Sequence, residues 1–177
     1  MNISVYTPAN QKEIEKAIIF MVKKFSENCK NKKPVIMHSI RVGFKLMDLG
    51  KSIEVIQAGI LHDLIEDSDC TKEDIEDTFG KKVANLVSAL TFDETIEDYK
   101  ERWREAIQRI IDAGTDAMII KIVDNMENLP YFAKIYDKKR KKELIWKYKF
   151  TIDSFEHCLK GDKSFEEYKK AVLEVNK

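Results

Sequence analysis

The stretch GILHDLIEDS, residues 59–68, decides the prediction of the fold because it places a histidine and three carboxylates inside an otherwise aliphatic segment. Just before it, SIEVIQAGIL over residues 52–61 spaces its apolar side chains as in a helix that is buried on most sides. Burial of an ionisable group is unfavourable unless the group is paired or binds a metal. The stretch has four residues that therefore need partners or a ligand: His62, Asp63, Glu66 and Asp67.

Helical patterns of this kind recur along the chain. Only six Gly and three Pro occur in 177 residues, and no alternation of polar and apolar residues persists long enough to predict a strand. Apolar periodicity, caps and stop signals predict helices over about 10–28, 35–49, 52–67, 71–80, 81–90, 96–113, 115–130 and 138–159, followed by a short last helix. We therefore expect an all-α helical bundle that forms a single domain over residues 1–177.

Composition restricts the class of partner. The 31 basic and 31 acidic residues balance, which argues against a protein that mainly binds nucleic-acid backbone or an anionic membrane. The three cysteines have long, irregular spacings that are typical of reduced thiols in a cytoplasm. The N-terminal MNISVYTPANQKE lacks the apolar core of a signal peptide, and no apolar run is long enough for a membrane span. An oligomer is possible, and the sequence does not decide it.

Polar residues interrupt apolar helices at three places. His38 lies in PVIMHSIRVGF, the pair His62-Asp63 lies in the stretch quoted first, and Asp124 lies in MIIKIVDNMENL. Two imidazoles and two carboxylates make a mixed nitrogen and oxygen donor set, which suits Mn, Fe(II), Zn or Ni. The alternative is that each histidine is a hydrogen-bonded core residue and that Asp124 is a satisfied helix carboxylate. The residues alone leave both interpretations open.

Glu66 and Asp67 follow the His-Asp pair by about one helical turn. A metal at the pair would lower the pKa of a bound water. Carboxylates placed one turn further on would then orient or deprotonate that water. Under the metal interpretation, Glu66 and Asp67 are the predicted catalytic residues.

Three segments carry a resemblance to a known family. Residues 32–42, KKPVIMHSIRV, resemble a Gly-x-Pro-Tyr-x-x-His motif, and residues 58–91 resemble an Ala-Ala-Leu-Leu-His-Asp-x-x-Glu-Asp-Thr run with its following Phe-Gly and Leu-Thr. Residues 119–129, IIKIVDNMENL, resemble Lys-x-Ala-Asp-Arg-x-x-Asn-Leu. These motifs are those of the HD-domain metal-dependent phosphohydrolases, and most closely of their alarmone-hydrolase branch, the hydrolase domain of RelA/SpoT proteins and its small stand-alone relatives.

The resemblance implies a helical HD-domain fold and removal of pyrophosphate from the 3′ position of guanosine tetra- or pentaphosphate. It implies one Mn²⁺, or another divalent transition metal, held by His38, His62, Asp63 and Asp124. The expected substrate-binding residues, some implied by the motifs and some by position, are Lys30, Arg41, Lys121 and Asn128. Two alternatives stay open, namely an HD phosphohydrolase that acts on another phosphorylated nucleotide and a helical regulatory module without catalysis.

The chain departs from the family pattern at three positions that bear on recognition of the substrate. Cys29 replaces the Arg of an Arg-Lys pair in the basic loop, Asn125 replaces the Arg after the metal-binding Asp, and Val35 replaces an aromatic residue. A lysine cannot form the planar fork of an arginine or stack as it does. The basic segment 134–149 is either a solvated helix face or a lining for a polyanionic substrate.

Overall fold

The structure, a computed structural model, describes residues 6–31, 34–132, 135 and 137–175. Within these ranges every regular element is a helix, which confirms the all-α fold class. The chain divides into two compact units, residues 1–92 and 93–177. Among the described helices, none has both the length and the apolar character needed to cross a membrane.

The first unit is built from helices whose ends follow local sequence signals. Thr71 and Asp74 form the predicted capping box, with 3.1 Å bonds from the Asp74 N–H to Thr71 Oγ1 and from the Thr71 N–H to Asp74 Oδ2. Thr7 and Asn10 form another at the first helix. Its helices are α1 (Pro8–Glu27), α2 (Val35–Asp48), α3 (Ile53–Leu61), α4 (Leu64–Asp67), α5 (Lys72–Phe79) and α6 (Lys81–Leu90).

Two glycines allow α2 and α3 to pack closely. A Cβ added at Gly43 would lie 2.5 Å from Ile60 Cγ1, and one added at Gly59 would lie 2.2 Å from Leu46 Cδ1. Both distances are shorter than real Cβ contacts, so a side chain at either glycine would force Ile60 or Leu46 to move. The close approach brings the N-terminal turn of α2, which carries His38, beside the C-terminal end of α3.

The predicted helix over residues 52–67 is not continuous. The α3 helix ends at Leu61, His62 and Asp63 form a turn, and α4 begins at Leu64. Asp63 has φ −92° and ψ −3°, a backbone conformation found in turns and at the ends of helices. The prediction of one uninterrupted helix was therefore wrong, because apolar periodicity continues across a single irregular turn.

In the second unit the helices are α7 (Tyr99–Ala113), α8 (Thr115–Phe132), α9 (Lys138–Leu159) and α10 (Lys163–Val175). α8 is the most buried of them, since residues 117–125 are all buried and α7, α9 and α10 pack against it. α7 begins three residues later than predicted because the Asp98 side chain caps it by accepting from the Glu101 N–H at 2.8 Å. α8 continues two residues beyond Pro130, where the missing N–H removes only one bond near the helix end.

Candidate active site

His38, His62 and Asp63 lie together in the first unit. The two imidazole rings have centroids 5.3 Å apart. The Asp63 carboxylate faces both rings, with Oδ1 3.0 Å from His62 Nε2 and Oδ2 4.0 Å from His38 Nε2. His62 is buried, while the side chains of His38 and Asp63 are 14% and 24% exposed. One carboxylate and two imidazole nitrogens thus lie close together with partial access to solvent. Together they form a set of donors that a metal ion can bind.

The orientation of His62 fixes which of its nitrogens can bind a cation. His62 Nδ1 lies 2.8 Å from the carbonyl oxygen of Gly59. Because a carbonyl oxygen only accepts, Nδ1 carries the hydrogen, and in a neutral ring Nε2 then carries a lone pair. That lone pair and the Asp63 oxygen repel each other at 3.0 Å unless a proton or a cation lies between them. A histidine that donates its second ring N–H to a carbonyl is also the usual arrangement of a metal ligand, so these residues fit a divalent ion.

Glu66 and Asp67 occupy the short helix α4, directly after the histidine turn. Glu66 Oε2 accepts from the backbone N–H of Phe92 at 3.3 Å. Asp67 Oδ2 accepts from Asn31 Nδ2 at 2.6 Å. Both carboxylates are half-buried, and each is oriented by a hydrogen-bond donor from another part of the unit.

The predicted substrate contacts of the first unit are Lys30 and Arg41. Lys30 is exposed and extends toward the turn after α4, where its Nζ donates to the Ser68 carbonyl at 2.9 Å and lies 3.3 Å from Asp69 Oδ1. Arg41 lies on α2 about one turn after His38 and is half-buried. Lys32 and Lys33, the other cations of the basic loop, lie outside the described residues.

In the second unit, Asp124 is buried on α8 and both of its oxygens are engaged. Lys121 Nζ lies 2.9 Å from Oδ2, and the Asn128 amide nitrogen donates to Oδ1 at 2.7 Å. The Lys121 and Asp124 side chains are only 6% and 9% exposed. Burial raises the pKa of Tyr148, and the negative charge of Asp124 raises it further. Lys121, predicted to bind phosphate, thus makes a buried ion pair with the carboxylate one helical turn away.

Trp103 supports this ion pair, a role that the sequence did not suggest. Lys121 Nζ lies 5.0 Å from the Trp103 ring centroid and Lys147 Nζ lies 4.2 Å from it. The indole N–H donates to Thr151 Oγ1 at 3.3 Å, which fixes the ring. One lysine of the basic segment 134–149 is therefore part of the packing around Trp103. No local pattern predicts it, because the four side chains come from three different helices.

Asn125 lies in the packed interior of the second unit. It is fully buried, and its amide nitrogen donates to the Tyr168 hydroxyl on α10 at 3.2 Å. Burial raises the pKa of that hydroxyl, which favours its neutral form, and its oxygen accepts this bond. The replacement of the family's arginine at this position is thus coupled to packing in the second unit.

The chain is similar to curated hydrolases of guanosine-3′,5′-bis(diphosphate). It is 34% identical over 139 residues to the 3′-pyrophosphohydrolase of Aquifex aeolicus, covering 76% of this chain and 20% of that protein. It is 37% identical over 98 residues to the 3′-pyrophosphohydrolase MESH1 of Danio rerio, covering 54% of each. The matched part is thus about a fifth of the first relative and about half of the second.

Solved structures share the fold. One is a metazoan ortholog of SpoT that hydrolyzes ppGpp, with a TM-score of 0.77, 24% identity and coverage of 97% of both chains. Another is lmo0812 from Listeria monocytogenes, with a TM-score of 0.71, 26% identity and coverage of 83% of this chain and all of that one. Both likenesses support the helical fold described above.

The HD domain matches residues 17–147, about three quarters of the chain. This match and the donor types of His38, His62 and Asp124 together suggest a divalent metal. The family motif therefore accounts for a histidine, a His-Asp pair and a later aspartate that interrupt otherwise apolar helices. On the extent of this match, the chain belongs to the HD-domain family.

Proposed function

We propose that the chain is a metal-dependent phosphohydrolase that removes pyrophosphate from the 3′ position of guanosine tetra- or pentaphosphate. In this reaction water adds to the phosphorus attached to the 3′ oxygen, the bond between them breaks, and the 3′ hydroxyl regains a proton. The relatives from Aquifex aeolicus and Danio rerio are 3′-pyrophosphohydrolases of guanosine-3′,5′-bis(diphosphate), which supports this choice of substrate. We propose Mn²⁺ as the metal, since it accepts a mixed set of imidazole and carboxylate donors.

The observation that carries the proposal is the Asp63 carboxylate directed at two imidazoles. His62 Nε2 and Asp63 Oδ1 lie 3.0 Å apart while His62 Nδ1 is committed to the Gly59 carbonyl. We propose that His38, His62 and Asp63 hold the metal, with Asp124 of the second unit as the fourth ligand. When bound, a divalent cation neutralises phosphate charge and lowers the pKa of a coordinated water.

The carboxylates of α4 supply the proton chemistry in this proposal. Glu66, oriented by the Phe92 N–H, accepts the proton of the attacking water, and Asp67 orients that water. Asp124 keeps its ligand geometry because Lys121 and Asn128 donate to its two oxygens.

The contacts with the substrate stay predictions. Lys30, Arg41, Lys121 and Asn128 are the residues that we expect to meet its phosphates and sugar. The buried ion pair of Lys121 with Asp124 favours a supporting role for this lysine over a direct phosphate contact. Lys30 is exposed and must exchange its contacts with Ser68 and Asp69 for phosphate oxygens if it is to bind substrate.

The domain organisation and the location also stay proposals. We propose that residues 1–177 act as one domain, because the HD match spans the boundary between the two units. We propose a cytoplasmic location, supported by the pattern of free cysteines. The expected partner is a phosphorylated nucleotide, with neither a nucleic-acid backbone nor a membrane as ligand, and the oligomeric state is open.

The test is to incubate the Mn²⁺-loaded protein with a panel of nucleotides and to identify the products by anion exchange and phosphorus NMR. The panel contains guanosine tetraphosphate, its adenosine analogue, nucleoside triphosphates and nucleoside monophosphates. We expect guanosine diphosphate and pyrophosphate in equal amounts from guanosine tetraphosphate.

The control variant is Glu66→Gln, which keeps the shape of the side chain and removes the base. We expect turnover to fall about a hundredfold to ten-thousandfold with the bound metal retained. Turnover of a different nucleotide alone would favour the second candidate, a hydrolase of another specificity, which the replacement of arginine by Cys29 keeps open. Metal binding without turnover of any nucleotide would favour the non-catalytic module.

A further inference from the structure

Residues 28–31, called the 28–31 loop below, are bonded to the three residues that end α4 and follow it. The Lys30 backbone N–H donates to the Asp67 carbonyl at 2.8 Å, and the Lys30 Nζ donates to the Ser68 carbonyl at 2.9 Å. The side-chain amide of Asn28 donates to Asp69, which also pairs with Lys30 Nζ. The loop is thus fixed to the main chain around Asp67 by contacts that do not involve the Asp67 carboxylate.

Asn31 connects this loop to the carboxylate itself. Its Nδ2 donates to Asp67 Oδ2 at 2.6 Å, and both side chains are half-buried. An amide is a neutral donor at every pH, so it orients the carboxylate without competing with it for a proton. A donor on Oδ2 restricts the side-chain torsions of Asp67.

The local fold explains why Asp67 needs such support. α4 contains only four residues and follows the irregular turn at His62 and Asp63. Asp67 is the last residue of α4, and its backbone is held by the Asp63 carbonyl on one side and by Lys30 on the other. Neither of these backbone bonds involves the carboxylate, whereas the bond from Asn31 acts on it directly and restricts its rotamers.

We propose that Asn31 is a positioning residue for Asp67. It touches neither the reacting atoms nor the metal in this scheme and acts by holding one oxygen of the carboxylate that orients water. The proposal rests on the proposed function, because it assigns Asn31 to the carboxylate for which that function has a catalytic use.

The kinetic test compares Asn31→Leu, which has a similar size and no donor, with Asn28→Leu in the same loop. Loss of a group that orients a functional side chain typically costs about tenfold to a hundredfold in activity. We expect Asn31→Leu to lower kcat by this factor while KM and Mn²⁺ affinity change less than about twofold. Asn31→Gln, which keeps the amide, should recover part of kcat, and Asn28→Leu should keep kcat within about twofold because its partner is Asp69.

A double-mutant comparison identifies Asp67 as the group through which Asn31 acts. Adding Asn31→Leu to Asp67→Asn should cause no further loss of kcat, since the two changes remove the same function. An equal further loss in that background, a normal kcat in Asn31→Leu, or an increase in KM without a change in kcat would each overturn the proposal.

A readout that needs no turnover separates this inference from the proposed function. In NMR spectra of the metal-free protein, the Asn31 side-chain amide protons should show slow exchange and a downfield shift, both lost in Asp67→Ala. If these signals are present and no nucleotide is hydrolysed, the contact stands and the proposed function fails. If the Asn31 signals match those of a solvated amide, the positioning role is refuted whatever the enzyme does.

Discussion

Removal of the Lys121 ammonium is the perturbation whose effect follows most directly from the structure. Lys121 Nζ and Asp124 Oδ2 are 2.9 Å apart with side chains 6% and 9% exposed. Removal of one partner from a buried ion pair leaves a buried charge without compensation and costs about 3–5 kcal/mol. Because Asn128 still donates to Asp124 Oδ1, we expect Lys121→Met to lower the free energy of unfolding by about 3 kcal/mol, at the lower end of that range.

The assay is urea unfolding followed by circular dichroism, with a chelator present so that no metal neutralises Asp124. The matched control is Lys147→Met, since Lys147 also lies over the Trp103 ring, at 4.2 Å, but is only half-buried. That change removes a cation–π contact worth about 0.5–1 kcal/mol at an accessible site. A loss below about 1 kcal/mol in Lys121→Met, or equal losses in both variants, would refute the reasoning from burial.

A second consequence connects this pair to the proposed metal. A cation held by Asp124 compensates the same charge as Lys121, so Mn²⁺ should narrow the difference between Lys121→Met and the natural protein. Replacing both members of the pair, as Lys121→Met with Asp124→Asn, should recover most of the lost stability in metal-free protein because no buried charge remains. Failure of the double variant to recover would show that the lysine stem contributes through packing.

Three further predictions concern the metal, the loop and a buried thiol. We expect one divalent ion per chain, and metal analysis of Asp63→Ala should show that most of it is lost. Chelation should lower the Tm of the natural protein but not of this variant. Full metal occupancy in the variant would exclude Asp63 as a ligand. In the natural protein, kcat/KM for guanosine tetraphosphate and its adenosine analogue should differ by no more than about tenfold, or about 1.4 kcal/mol. Cys29→Arg should increase this difference in kcat/KM. A strong guanine preference in the natural protein would mean that other residues recognise the base. Burial raises the pKa of the Cys70 thiol from 9.0 to about 11, so iodoacetamide at pH 8.5 should modify the exposed Cys29 and Cys158 well before Cys70. The free energy of unfolding should fall as the pH rises from about 9 toward 11, because in that range the thiol ionises only in the unfolded protein. Equal labelling of all three cysteines would contradict the burial of Cys70.

The helices were predictable because their signals are local. The capping box at Thr71 and Asp74 and the N-terminal start of α9 at Lys138 are set by residues within one turn of the helix end. The apolar periodicity of α8 likewise depends only on its own side chains. The grouping of His38 with His62 and Asp63 was expected from the resemblance, and the geometry adds the orientation of each ring.

The unpredicted features arise from contacts between distant parts of the sequence. Asn31 and Asp67 are in contact although they are 36 positions apart in the sequence, and Lys147 on α9 contacts Trp103 on α7. The turn at His62 and Asp63 was missed for another reason, because the changed backbone torsions of Asp63 leave the apolar pattern of the sequence as it is. Periodicity describes which face of a helix is buried, and it does not describe which side chain on another element lies against it.

The two positions at which the family pattern has an arginine, 29 and 125, differ in burial. This difference determines how base specificity can be studied. Cys29 is exposed, so an arginine placed there has room and solvent. Asn125 is fully buried and bonded to Tyr168, and its neighbours on α8 already include the buried cation of Lys121. An arginine at position 125 would bury a second positive charge without a carboxylate of its own, at a cost of several kcal/mol. Position 29 can therefore be reverted alone, whereas position 125 can be reverted only with compensating changes in α10, and the contribution of each to base recognition has to be measured in that order.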